Sequence, residues 1–175
     1  FSMEFNSQNT LDGMKKVEEV VSARTPSGRV DIEVFEDYRG IVVSIGEEHM
    51  FEHGRADLRP AIWPFLDDVL KVASSNNAQI QIEAHTDKTP MSKSATYPSN
   101  DHLSAARSVS VIRYFKGVQP DVPGHRFEAV PAGQTRPRFP NMTDAGRRKN
   151  RRVELIFYRP PKMYIYKPPG TQVPQ

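Results

Sequence analysis

The chain reads as one α+β domain, a two-layer sandwich with helices covering one face of a mixed sheet. Three observations predict it. Short apolar runs at 30–35, 41–45, 79–84, 126–130 and 153–157 have the length and spacing of strands. Apolar stripes at helical spacing run through 62–73 and 103–115. Their order, hairpin, helix, strand, helix, strand, strand, leaves the helices to pack on a single sheet.

Each element has its own signals. Leu11, Met14, Val17, Val20 and Val21 predict an N-terminal helix over 9–24, with Asn9 or Thr10 as its cap. Such a helix is too short to be stable alone, so it should pack on the domain or on a second copy. Thr25-Pro26-Ser27-Gly28 ends it with turn chemistry. Val30, Ile32 and Val34 alternate, Ile41 to Ile45 is uniformly apolar, and Tyr38-Arg39-Gly40 between them predicts a hairpin. The stretch from Gly46 to Arg59 reads as irregular, before a helix opening at Pro60 or later, where Pro64 is tolerable only in the first turn. A strand over Gln79 to Ala84 follows, then a polar loop and a helix from about Asp101 to Lys116. The last two strands flank a long Pro/Gly/Arg loop. Residues 1–29 thus form a helix and linker, 30–159 the domain, and 160–175 a proline-rich extended tail.

Composition excludes several chemistries. No cysteine is present, so disulfides, thiol catalysis and thiolate zinc sites are ruled out. No apolar run approaches the roughly 20 residues of a membrane span. The net charge of +3 is concentrated in Arg147, Arg148, Lys149, Arg151 and Arg152, which suits a polyanion or a solvated loop. Few aromatics interleave with these arginines, which argues against nucleic acid. His49, Glu52 and His53 match H-x-x-E-H, but the flanking Gly46 and Gly54 argue against the continuous helix a zinc site needs. No metal and no cofactor are expected.

The most specific chemistry lies between Ile82 and Ser108. A strand ends in His85-Thr86-Asp87, and a helix beginning near Asn100 carries Leu103, Ser104 and Arg107. One carboxylate and one guanidinium reach the same rim, an arrangement that grips a zwitterion such as an amino-acid head group. An ion pair between Asp87 and Arg107 themselves reads equally well from spacing alone. His85 reads as structural, its ring hydrogen-bonding the following loop.

These residues resemble the OmpA-like peptidoglycan-binding family. Its pattern appears as His85-Thr86-Asp87, then Asn100 with Leu103-Ser104 and Arg107, then Asn150-Arg151-Arg152-Val153-Glu154, preceded by Phe51, Gly54, Ala56 and Leu58. The long loop containing Thr89-Pro90 and Tyr97-Pro98-Ser99-Asn100 looks like that of MotB-type flagellar stator proteins. Two positions depart from the pattern: Ala84 replaces a glycine, and Asp101-His102 replaces an aromatic-acidic pair.

The resemblance implies an OmpA-like fold and non-covalent binding of a diaminopimelate-type peptidoglycan stem peptide, without catalysis. Asp87 would engage the ammonium side and Arg107 a carboxylate. Thr86, Asn100 and Leu103 would line the pocket, and Arg151 would support it. It also implies the periplasmic part of an inner-membrane stator subunit, acting as a homodimer with a MotA-type partner. A rival expectation is an envelope lipoprotein or porin domain tethering the outer membrane; a metal-dependent wall hydrolase is more distant.

Overall fold

The computed structural model describes residues 12, 15–20, 23, 32–75, 78–93 and 95–158. Five strands, β1 (Ile32–Asp37), β2 (Gly40–Gly46), β3 (Gln79–His85), β4 (Phe127–Gly133) and β5 (Arg152–Tyr158), form one sheet in the order β1-β2-β5-β3-β4. Only β3 and β4 run parallel, so the sheet is mixed as expected. Besides the helical residues 15–20, four α-helices among the described residues accompany it: α1 (Glu47–Met50), α2 (Trp63–Ser75, after a 3-10 turn from Pro60 to Ile62), α3 (Asn100–Val118) and α4 (Asp144–Asn150).

Strand alternation sorts side chains onto two faces. Val43, Ile45, Ile80, Ile82, Val153 and Leu155 point into the core that α2 and α3 complete with Phe65, Leu66, Val69, Leu70, Val111 and Phe115. The opposite face is unlike a plain solvent face. Glu83, His85, Arg152 and Glu154 lie there buried, alongside Val42 and Ile156. Residues 15–20 are helical, and Val17 is buried within the same core cluster, so the N-terminal segment packs on the domain. The 160–175 tail lies outside the described residues.

Two elements contradict the expected loops. Glu47–Met50 is a helical turn where the sequence reads as irregular, and Asp144–Asn150 is a helix inside the Pro/Gly/Arg loop. Thr143 caps α4, its hydroxyl accepting from the Gly146 amide at 3.0 Å. Both helices are too short to show a helical apolar period. The hairpin is tight, with Asp37 paired to Gly40 across Tyr38-Arg39.

Gly40 has φ of +134°, and a Cβ there would lie 2.3 Å from the Phe157 carbonyl oxygen. Gly40→Ala should therefore destabilise the domain by about 1–3 kcal/mol, measurable as a lower urea midpoint with an unchanged m-value.

Candidate functional site

The site forms where β3 ends. Opposite Ala84 and His85, β4 carries one extra residue: Ala84 faces Pro131 and His85 faces Gly133. Such a bulge re-aims the chain at the end of a ladder. The Thr86 amide then donates to the Gly133 carbonyl at 2.8 Å, which fixes Thr86-Asp87 beside the start of α3. Ser99 caps that helix by accepting from the His102 amide at 3.3 Å. Asn100 in its first turn donates to the Thr89 carbonyl at 3.1 Å, tying the helix to the loop after β3.

Together these elements enclose a cavity of about 450 Å³. Thr86, Asp87, Asn100, Leu103 and Arg151, five of the six residues expected from the sequence, line it. Arg107 does not. It is 1% exposed and lies one residue deep, its Nε donating to the Arg55 carbonyl at 2.9 Å and its Nη1 to Glu47 at 3.0 Å. Arg55 and Glu47 are themselves wall residues. The Phe51 ring lies beneath the guanidinium, 5.0 Å from its carbon.

Asp87 and Arg107 are therefore not each other's partners, and the structural ion pair expected as one alternative is absent. Asp87 instead accepts from Arg151 Nη1 at 2.6 Å, and Arg151 Nε stands 3.6 Å from Glu47. Four charges alternate in a row: Asp87, Arg151, Glu47, Arg107. Burial alone would raise the Asp87 carboxyl, but the Thr89 amide at 2.7 Å and the Arg151 guanidinium outweigh it and hold it below the usual range. Arg151 is the C-cap of α4, just before β5. Glu47, the centre of the row, was not singled out from the sequence. Its only cue is a charge at a strand end just ahead of the F-x-x-G element.

Two buried polar atoms at this site have no hydrogen-bond partner among the described residues, Thr86 Oγ1 and Arg107 Nη2. Unsatisfied buried groups are costly, and Thr86 itself lines the cavity while Arg107 lies directly behind its wall residues Glu47 and Arg55.

The histidines resolve differently. α1 ends at Met50, so His49 and His53 do not share a helix face. His85 does not hydrogen-bond the following loop as expected. Neither of its ring nitrogens has a partner among the described residues, and the ring sits 3.7 Å from Glu83 and 3.8 Å from Glu154. These three have the spacing of a metal site. Guanidinium groups already take the carboxylate oxygens, however. Arg39 bridges Glu83 at 2.9 Å and Glu154 at 2.8 Å, Arg136 binds Glu83, and Arg152 binds Glu154 at 2.8 Å. The basic cluster is likewise engaged within the fold. Arg148 pairs with Glu48 at 2.7 Å, Arg147 with Asp144, and Lys149 lies over Phe139 at 4.9 Å.

A family model described as the OmpA family matches residues 50–151. The chain belongs to the OmpA family. Within it, the chain is 36% identical over 121 residues to the uncharacterized protein YtxE of Bacillus subtilis (strain 168), covering 69% of this chain and 49% of that protein. It is 32% identical over 122 residues to Motility protein B of the same organism, covering 67% and 45%. The chain thus spans about half the length of these curated relatives. Among solved structures, a putative MotB-like protein from Desulfovibrio vulgaris superposes with a TM-score of 0.78 at 27% identity, over 87% of this chain and 96% of that one. The cell wall anchor of the T6SS from Pseudomonas aeruginosa gives 0.68 at 26%, over 83% and 99%. This OmpA-family domain is thus closely related to MotB-type stator proteins.

Burial, followed by the Arg152 charge, lowers the His85 pKa from 6.5 to about 3, against the opposing pull of Glu154. The folded ring stays neutral while the unfolded one takes up a proton below 6.5. Stability contributed by His85 is complete above that pH and is lost as pH falls toward 3. The thermal midpoint should decline from pH 6.5 to 4, and the decline should be shallower in His85→Gln.

Proposed function

We propose that this domain binds a peptidoglycan stem peptide non-covalently, at a diaminopimelate-type head group carrying both an ammonium and a carboxylate. The observation that carries the reading is the pair of unpartnered buried atoms, Thr86 Oγ1 and Arg107 Nη2, beside a cavity whose wall presents Asp87. Asp87 receives the ammonium. Arg107 Nη2 donates to the carboxylate, and Thr86 Oγ1 completes its bonding on the same ligand. Asn100 and Leu103 shape the wall, and Arg151 keeps Asp87 ionised. Such a site binds without breaking bonds, since nothing in it serves as an activated nucleophile.

By its likeness to Motility protein B and to a MotB-like structure, the domain is the periplasmic wall anchor of a flagellar stator. In that role it acts as a homodimer and reaches the inner membrane and a MotA-type subunit through a transmembrane segment outside this chain. Among the described residues no helix is long and apolar enough to cross a membrane. The likeness to the T6SS anchor supports a second reading, a wall anchor for another envelope machine. Swimming of a strain lacking the gene separates the two: loss of swimming with flagella still assembled marks the stator.

Retention on purified sacculi tests the site. Asp87→Ala and Arg107→Ala, each assayed where circular dichroism shows it folded, should lose about 2–5 kcal/mol of binding if the charges are desolvated by the ligand. Undiminished retention of both variants would remove the site from consideration.

A further inference from the structure

Arg107 is buried and held by three neighbours, with one nitrogen left unpartnered. Arg55 and Phe51 fix its position, Glu47 takes Nη1, and Nη2 is empty. Glu47 lines the cavity and Arg107 does not, so a ligand carboxylate approaching Arg107 meets the Glu47 carboxylate first. Like charges at that distance repel. Glu47 is also bound incompletely, because it engages the guanidinium through one nitrogen, whereas a carboxylate in the fork would take both.

Glu47 has other partners at hand. Its Oε1 is 3.4 Å from Nδ1 of His53, an 89% exposed side chain, and its Oε2 is 3.6 Å from Arg151 Nε. It can leave Arg107 without becoming an unpaired buried charge, the outcome that would otherwise forbid the move.

We propose that Glu47 is a built-in competitor for the ligand's carboxylate, holding Arg107 until a carboxylate on the wall peptide displaces it toward His53 and Arg151. The inference rests on the stem-peptide reading of the cavity. It makes Glu47 a restraint on affinity for the carboxylate-bearing ligand. Only a ligand whose carboxylate binds in two-pronged fashion recovers the cost of displacing it, so a ligand bearing a neutral amide in that place leaves Glu47 on Arg107.

Calorimetric titration with two stem peptides tests this, one ending in diaminopimelate with a free side-chain carboxylate and one with that carboxylate amidated. Glu47→Gln removes the competing charge while its amide oxygen still accepts from Arg107. Preference for the carboxylate peptide over the amide should rise by about tenfold, the equivalent of one moderate charge interaction. Glu47→Asp, which draws the charge back by one methylene, should move the preference the same way if Glu47→Gln proves unstable. An unchanged or reduced preference in folded variants would overturn the role of Glu47. Failure of the wild type to bind either peptide would instead overturn the stem-peptide reading, and this inference with it.

Discussion

The ion pair between Arg107 and Glu47 is the contact on which the cavity is built. It joins α3 to the turn after β2, two segments 60 residues apart in sequence, and both side chains are almost fully buried. Removing Glu47 strands the Arg107 charge in the interior, at a cost of about 3–5 kcal/mol. Through Glu47 the pair reaches Arg151 at the end of α4, and through Arg151 it reaches Asp87 at the end of β3. Every element that walls the cavity is therefore anchored to one line of alternating charge. The Glu47 amide reinforces it by donating to the Arg151 carbonyl at 2.9 Å.

A second charge network lies on the far face of the sheet. Glu83 and Glu154 face each other across β3 and β5, both fully buried, and would repel without Arg39 between them. Arg39 sits in the β1–β2 turn, where Asp37 also holds it, at 2.7 Å. The tight hairpin set by Gly40 thus delivers the cation that makes two buried carboxylates tolerable. The two networks meet at adjacent residues, since Arg151 belongs to one and Arg152 to the other. His85 and Asp87 likewise fall on opposite sides. A single strand end therefore serves stability on one face and the cavity on the other.

Much of this was legible in the sequence because it depends on local periodicity. The strands, the two long helices and their single-faced packing follow from alternation and from stripes such as Phe65-Leu66-Val69-Leu70. Asp87 was legible because strand ends sit where ligands are met, whereas Thr86, Asn100, Leu103 and Arg151 were legible only through the family motifs that carry them. What was not legible depends on partners distant in sequence. Spacing places Asp87 and Arg107 on one rim, yet each takes a different partner, and Glu47 is exposed as the intermediary only by the fold. α1 and α4 are too short to announce themselves by period. His85 offered a local hydrogen bond as its natural reading, whereas the interior holds it neutral beside Glu83 and Glu154, among Arg39, Arg136 and Arg152.

In the proposed site, Thr86 Oγ1 and Arg107 Nη2 stand without partners until a ligand completes them. A crystal structure of the domain with a diaminopimelate stem peptide tests it most directly. The ligand's ammonium should lie within hydrogen-bonding distance of Asp87 and its carboxylate on Arg107 Nη2. A peptide bound elsewhere on the surface, with both atoms still without partners, would contradict it.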